Sequence, residues 1–167
     1  MKYGEFKQHI KEALQGRENL ASAYIVCGDD DYLKSCAINA LKNLVDPEYA
    51  DFNLSTASSE DGVFSAIDAL YTFPMFDERK VVVLTLDSAI SGASKDAYEK
   101  YLASPSETSV LVVDCDDEVA KSLKNKKAQV VDCSRLDDGE LAKEIEEIAF
   151  YAPARKIDKD AETELIT

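Results

Sequence analysis

The sequence contains no tryptophan, one histidine and four cysteines, and no two cysteines have CxxC spacing. Its apolar runs are short, and none approaches the roughly 20 residues that a helix needs to cross a bilayer. The first residues are amphipathic and charged, unlike a signal peptide. Each cysteine lies in or beside an apolar run, as buried free thiols in a reducing compartment do. We therefore predict a cytoplasmic protein with no membrane partner.

Basic residues are also scarce. Lysine and arginine number 19 against 33 aspartates and glutamates, which gives the 167 residues a net charge of −14. This charge disfavours duplex DNA or an anionic membrane surface as a partner of the chain alone. DNA is therefore expected only in company with other subunits. The length is sufficient for one domain with its own core and for part of another.

Candidate catalytic and metal-binding groups are few. His9 lies in a predicted helix, far in sequence from any serine or cysteine nucleophile, so a catalytic triad is not supported. Three cysteines follow predicted strands and could converge on a metal, but without a fourth ligand buried thiols are the better interpretation: Cys27, Cys115 and Cys133. The acidic run 114–117 could bind a cation, although a solvated strand end is commoner. We predict no catalytic site, no metal and no cofactor.

Short apolar runs alternate with helical patterns along most of the chain. Five runs predict strands, the second of them weakly: 23–27, 51–55, 81–86, 109–113 and 128–132. Apolar residues recur at helical spacing over 5–15 and between the strands, and Ser58 with Asp61 resembles a capping box that opens one helix. This alternation predicts an α/β fold, a five-stranded parallel sheet with helices on both faces.

The pattern changes near residue 139. An amphipathic helix follows, which Asp137 or Asp138 can cap, and a second helix is predicted to begin near Asp158. We therefore predict an α/β domain over residues 1–138 and the beginning of a helical domain over 139–167. A helical pair that stops within its second member is hard to stabilise alone, so we expect this sequence to be a piece of a longer protein.

The turn after the first predicted strand lies where a phosphate-binding loop would be. It matches GxxxxGK[ST] at Gly28, Lys34 and Ser35, but Leu33 stands at the second glycine. A leucine there obstructs the approach of phosphate and resists left-handed dihedrals at roughly 1 kcal/mol or more. The carboxylates of 29–31 would also repel phosphate. We interpret this segment as a degenerate P-loop that does not bind nucleotide, with the aspartates capping a helix and Lys34 solvated.

Two other interpretations of this loop remain open. Lys34 and Ser35 are retained, so the chain could be a P-loop NTPase with a degenerate but functional nucleotide site. The acidic residues with Asp87 also resemble the site of a phospho-accepting receiver domain. That site needs a lysine at the end of the fifth strand, where this chain has the sequence VDC at 131–133.

The segment Phe73-Pro74-Met75-Phe76, called the tip below, places apolar residues between a predicted helix and a predicted strand. Pro74 lacks an N–H and disfavours helical geometry in Phe73, so the tip should leave the helix as a turn. Its side chains could tuck under the sheet as ordinary core. They could equally form an exposed hydrophobic anchor that fits a partner's pocket, with the charged run 77–80 directly after it.

The order of these features resembles the delta subunit of the bacterial DNA polymerase III clamp loader. The resembling segments are YIVCGDDDYL at 24–33, DFN at 51–53, AL at 69–70, FPMFDERKVVV at 73–83, and Tyr101-Leu102 with Pro105 and Thr108 before the strand 110–113. None is a strict signature alone. Their order and spacing together carry the resemblance, which covers nearly the whole chain.

The resemblance implies an AAA+ type fold that has lost its nucleotide function, in a non-catalytic subunit of the replicative DNA polymerase holoenzyme. It also implies that residues from 139 onward begin a helical lid domain and that a third, collar-forming domain is absent here. The implied partners are the sliding clamp and the other clamp-loader subunits. In the family, an apolar pair inserts into a pocket of the clamp and helps to open the ring; by position the pair is Met75 and Phe76, supported by Phe73 and Pro74.

The chain departs from the clamp-binding pattern at one position. Tyr71 stands where clamp-binding peptides often have a glutamine, so the resemblance extends to the apolar contact and not to the polar one. Besides the NTPase, one further alternative is a purely structural domain with a buried tip, acting as a spacer between subunits.

Overall fold

The computed structural model of the chain describes residues 1–17 and 19–151. It divides into two compact units, Met1–Ser134 and Arg135–Thr167. The helix predicted near Asp158 lies outside the described residues, and the predicted domains 1–138 and 139–167 stay a prediction. None of the helices in the described ranges has the length and apolar character that a bilayer crossing requires.

Helices and strands alternate through the first unit. The helices are α1 (Tyr3–Leu14), α2 (Asp31–Lys42), α3 (Ala50–Asn53), α4 (Gly62–Tyr71), α5 (Gly92–Ala103) and α6 (Asp117–Leu123). The strands are β1 (Ala23–Cys27), β2 (Leu54–Ser58), β3 (Lys80–Thr85), β4 (Ser109–Asp114) and β5 (Ala128–Asp132). A short 3-10 helix at Pro47–Tyr49 precedes α3.

The strands form the predicted five-stranded parallel sheet, in the order β2-β3-β4-β1-β5. In its register Ile25 of β1 lies between Val113 of β4 and Val130 of β5. The first residue extends the β5 edge, because the Asp132 N–H donates to the Met1 carbonyl over 2.8 Å. Because the five strands are parallel, their carboxyl ends lie along one edge of the sheet.

Helices cover both faces of the sheet, as predicted. On one face, the core joins strand residues to α4, α5 and α6 in a single buried cluster that includes Ile25, Val82, Leu111, Leu70, Tyr98 and Val119. On the other face, Phe6 of α1 lies edge-on to Tyr24 with ring centroids 6.1 Å apart. Because side chains alternate along a strand, β1, β3 and β4 are buried almost throughout, as their apolar runs predicted.

The second strand begins three residues later than predicted. Residues 51–53 are helical, in α3, and the strand starts at Leu54. The predicted strand would have buried Phe52 and exposed Asn53. In the structure the reverse holds: Phe52 is 52% exposed, whereas Asn53 is fully buried. The prediction failed because it assigned the buried positions to the apolar residues.

The predicted capping box does not open α4. Ser58 ends β2, and Asp61 before the helix makes no side-chain cap. A tight turn at Ser59, whose φ is 64°, replaces it: the N–H groups of Gly62 and Val63 donate to the Ser59 and Glu60 carbonyls over 3.1 and 3.2 Å. Main-chain carbonyls therefore satisfy the first helical donors that a serine side chain was expected to bind.

The second unit contains α7 (Asp138–Tyr151). Asp137 caps it, as one of the two predicted possibilities: its Oδ1 accepts the N–H of Glu140 over 2.8 Å. The Glu140 carboxylate accepts the Asp137 N–H in return over 3.2 Å. This reciprocal pair is the capping-box arrangement.

Candidate functional site

The tip begins where α4 ends. Thr72 follows the helix with extended geometry (ψ 142°), and its hydroxyl donates to the Ala69 carbonyl over 2.7 Å. The same Ala69 carbonyl also accepts the Thr72 N–H over 3.2 Å, so Thr72 closes the end of the helix with both its main chain and its side chain. The Lys80 ammonium in turn donates to the Thr72 hydroxyl, so the two ends of the tip segment are tied together. The chain leaves the helix before Pro74, as predicted.

The apolar side chains of the tip face solvent. Phe73 is 84% exposed, Phe76 73% and Met75 50%. The alternative in which they tuck under the sheet as core is therefore wrong, and with it the spacer domain with a buried tip. Exposing several large apolar groups on one short segment is unfavourable in water, and such patches mark binding surfaces.

A buried side chain holds the middle of the tip. The Met75 N–H donates to Asn53 Oδ1, and Asn53 Nδ2 donates to the Met75 carbonyl, both over 2.7 Å. Asn53 itself is fully buried at the junction of α3 and β2. The main chain of Met75 is thus fixed to the sheet while its side chain remains at the surface. Sequence analysis missed this bond, because a polar side chain between apolar neighbours predicts an exposed position, whereas Asn53 is buried.

Phe76 has an unusual backbone and two aromatic neighbours. Its φ is 61°, a left-handed value that costs a bulky residue of the order of 1 kcal/mol. Its ring lies 5.7 Å from that of Tyr49 and 6.2 Å, edge-on, from that of Phe52. Aromatic pairs at such distances stabilise each other, so the two neighbouring rings hold the Phe76 ring in one orientation even when no other protein is bound.

The charged run after the tip is also tied down. The Asp77 carboxylate accepts the Asp46 N–H over 2.8 Å, which joins the run to the segment after α2. Lys80 is the first residue of β3 and is only 7% exposed. The tip is therefore held at both ends and in the middle.

The left-handed geometry of Phe76 leads to a stability prediction. We expect Phe76→Gly to have a free energy of unfolding about 1 kcal/mol higher than Phe76→Ala, because only alanine pays the left-handed penalty. Urea denaturation of both variants measures the difference. Phe73, which has no positive φ, is the control: there alanine should be the more stable substitution. If alanine were the more stable substitution at position 76 as well, Phe76 would not have a left-handed backbone.

The degenerate loop lies at the other edge of the sheet, because it follows β1 whereas the tip precedes β3 in a parallel sheet. Asp30 caps α2 as predicted, its Oδ1 accepting the Leu33 N–H over 3.0 Å. Leu33, at the position of the second glycine, is 3% exposed and belongs to the core. Ser35 is exposed on α2. The leucine therefore has a structural role in the core.

Lys34 is not solvated, contrary to the prediction. Its Nζ lies 2.9 Å from Asp114 Oδ1 and donates to the Cys115 carbonyl over 3.0 Å. Burial lowers the pKa of Lys34, but the hydrogen bond and charge of Asp114 outweigh burial, so the net pKa is raised. The cation that would meet a phosphate in a working P-loop is neutralised by the chain's own carboxylate.

The chain also covers Gly28, the first glycine of the loop. Its φ is 123°, and a Cβ there would lie 2.3 Å from the Cys133 carbonyl carbon and 2.6 Å from the Ser134 nitrogen. The Asp30 N–H donates to the Cys133 carbonyl over 3.1 Å, which holds the segment after β5 against the loop. This main chain lies directly beside the loop's first glycine.

The cysteines behave as buried thiols at three of four positions; Cys36 is half-buried. Burial raises the pKa of Cys27 to about 11 and those of Cys115 and Cys133 to about 12. Thiols with such values are almost fully protonated at neutral pH and react poorly. Within the described part of the chain, no three His, Cys, Asp or Glu side chains are arranged to hold a metal.

The remaining candidates have structural contacts. His9 Nε2 lies 2.8 Å from the Tyr24 hydroxyl, at the packing of α1 on the sheet. Asp116 caps α6 by accepting the Val119 N–H over 2.8 Å. The acidic run 114–117, which begins at the last residue of β4, therefore supplies a helix cap and the counter-ion of Lys34.

Comparison with known proteins gives a consistent result. A solved structure, the DNA clamp loader delta protein of Bacillus subtilis, is 24% identical with a TM-score of 0.72, over 98% of this chain and 51% of that one. A gamma subunit-related protein of DNA polymerase III from Thermotoga maritima is 17% identical with a TM-score of 0.55, over 85% of this chain and 49% of that one. No curated protein matches.

These likenesses show an AAA+-like fold, and the chain spans about half the length of either solved structure. The family model of the DNA polymerase III delta subunit matches residues 24–134, which contain β1 except its first residue, β2 to β5, the degenerate loop and the tip. By this match over more than half of its residues, the chain belongs to the DNA polymerase III delta subunit family.

Proposed function

We propose that this chain acts in clamp loading by binding the sliding clamp through the tip, with Met75 and Phe76 inserted into a hydrophobic pocket and Phe73 and Pro74 beside them. The observation that carries the proposal is an apolar tip that faces solvent while its main chain is fixed. Membership of the delta subunit family supports it. The other loader subunits are further partners, and DNA is met only in the assembled complex.

The binding energy of such a contact concentrates in a few anchors. Large apolar side chains that enter a desolvated pocket dominate interface energetics, often at 2 kcal/mol or more each. The tip presents its anchors on a segment already held by Asn53 and by the Asp77 contact, so little ordering entropy is lost on binding.

Ring opening follows from a difference in affinity. A ligand shifts an equilibrium between two states only by as much as it prefers one of them. We propose that the tip binds a clamp whose interface is strained or open more tightly than a closed one. The subunit makes and breaks no bond in this step and needs no catalytic group.

The alternative function, a P-loop NTPase with a working loop, has little support in the geometry. Lys34 is paired with Asp114, Leu33 is core, and main chain lies against Gly28. Phosphates entering the loop would have to displace these groups.

Nucleotide binding is tested by thermal unfolding. We expect millimolar Mg-ATP to leave the melting temperature of this chain unchanged. A ligand stabilises a fold only when it binds the native state, and we propose that the loop does not bind ATP. Differential scanning fluorimetry with and without Mg-ATP measures the shift, and Mg-ADP with excess phosphate is the matched control. A clear rise with ATP would restore the NTPase alternative.

The proposed function is tested by titrating the cognate sliding clamp with this chain. Saturable binding is expected, and a fluorophore pair across one clamp interface should report separation of the subunits at saturation. Absence of binding at about 100 µM, an affinity weaker than about −5.5 kcal/mol, would contradict the proposal. Binding without separation of the clamp subunits would support the proposed clamp binding and contradict the proposed ring opening.

A further inference from the structure

We infer that Asn53 is a positioning residue of the tip, which fixes the Met75 main chain so that Met75 and Phe76 project in the geometry that the clamp binds. This inference rests on the proposed function and adds to it a residue that does not itself reach the partner. Asn53 is fully buried, whereas the side chains that it positions are at the surface.

The argument begins with the two hydrogen bonds. The carboxamide of Asn53 uses its oxygen for the Met75 N–H and its nitrogen for the Met75 carbonyl, both over 2.7 Å. It thus pairs with both main-chain groups of one residue, as a neighbouring strand would. Asn53 ends α3 and is followed directly by β2, so Met75 is connected to the edge strand of the sheet.

The identity of the side chain matters. A carboxamide carries an acceptor and a donor on one short, planar group, and Met75 presents one donor and one acceptor. Aspartate has the same size but, when ionised, would place a carboxylate oxygen against the Met75 carbonyl. Alanine would leave both bonds unmade in a part-buried setting, which is the costly situation for polar groups.

The next residue explains why this position needs an anchor. Phe76 has a φ of 61°, which a free chain avoids at a bulky residue. Fixing Met75 immediately before it helps to hold Phe76 in this conformation. If the anchor is removed and the competent geometry falls to about a tenth of the population, the apparent affinity for the clamp falls about ten-fold.

The test uses Asn53→Ala and the equal-sized Asn53→Asp, with Tyr98→Phe as the matched control. Tyr98→Phe loses one buried hydrogen bond, since the Tyr98 hydroxyl donates to the Leu123 carbonyl over 3.1 Å, but this bond joins α5 to α6 and involves no tip residue. Each variant is measured for stability, for hydrogen exchange of the Met75 amide by NMR, and for clamp affinity.

We expect about ten-fold weaker clamp binding for both Asn53 variants and unchanged binding for Tyr98→Phe. Exchange of the Met75 amide should accelerate in Asn53→Ala beyond any change in global stability. A merely structural role would move stability without this selective effect on Met75 and on binding. Asn53→Asp keeps the side-chain volume, so it gives a result even where Asn53→Ala fails to fold.

The outcomes separate this inference from the proposed function. If the parent chain binds the clamp and the folded Asn53 variants bind it equally well, the positioning role is overturned and clamp binding stands. If the parent chain does not bind the clamp, the proposed function fails, and the positioning role for the clamp fails with it. A Met75 amide that exchanges as fast in the parent as in Asn53→Ala overturns the anchor regardless of the clamp.

Discussion

Replacing Met75 and Phe76 together by alanine is expected to weaken binding to the sliding clamp by at least about 100-fold, or about 2.7 kcal/mol. Both side chains are at least half exposed, so their removal deletes surface rather than core. Loss of the Phe76 contacts with Tyr49 and Phe52 should cost stability by only about 1 kcal/mol. Isothermal titration with the clamp and urea denaturation measure the two effects.

Phe64→Ala is the matched control for this double variant. Phe64 is 48% exposed in the first turn of α4, at the opposite end of that helix from the tip. Its removal should leave clamp binding unchanged. A folded Met75→Ala plus Phe76→Ala variant that binds as well as the parent would refute the assignment of the tip. A variant that unfolds would contradict the exposure of these residues.

Gly28→Ala should destabilise the chain by about 3 kcal/mol or more, the largest effect on folding expected from a single methyl group. The added Cβ would approach the Cys133 carbonyl carbon to 2.3 Å and its oxygen to 2.4 Å, distances that force main chain to move. The residue would also have to adopt a φ of 123°. The melting temperature should fall by about 6–12 °C.

Gly16→Ala separates the dihedral penalty from the steric one. Gly16 lies just after the C-terminal end of α1 with a φ of 71°, but a Cβ there would meet no atom within 4 Å. This variant should lose only about 1 kcal/mol. If Gly28→Ala lost no more than Gly16→Ala, the close approach of the segment after β5 to the loop would be refuted. Thermal unfolding of both variants makes the comparison.

Much of the α/β domain was predictable because its signals are local. The apolar runs that became β3 and β4 are buried on both faces, which only a covered parallel sheet requires. Pro74 ended α4 at the expected place, since a missing N–H acts on the helix that precedes it. The prediction that the loop does not bind nucleotide also rests on a local signal, because the side chain of Leu33 at a glycine position would obstruct phosphate.

The errors concern side chains whose partners are distant in sequence. Lys34 was predicted to be solvated, but its carboxylate partner Asp114 ends β4, and only the sheet order brings the two together. Asn53 looked like an exposed strand position, because a sequence pattern treats polar residues as outward-facing. Its partner is a main-chain amide 22 residues away.

The exposure of the tip was undecidable from the sequence for a related reason. Apolar residues on a turn can fold inward or project outward, and the choice depends on whether the adjoining core has room. Leu70 and Lys80, which flank the tip in sequence, are buried, and the buried Asn53 side chain bonds to the Met75 main chain between them. These buried partners are not visible in the local sequence pattern.

The bonds from Asn53 have a consequence for engineering. They reach main-chain atoms of Met75, which every amino acid except proline provides in full. The main-chain anchor that Asn53 forms should therefore tolerate other side chains at positions 75 and 76. Under the proposed function, exchanging Met75 and Phe76 for the apolar pair of another delta subunit is expected to change clamp preference without changes in the sheet.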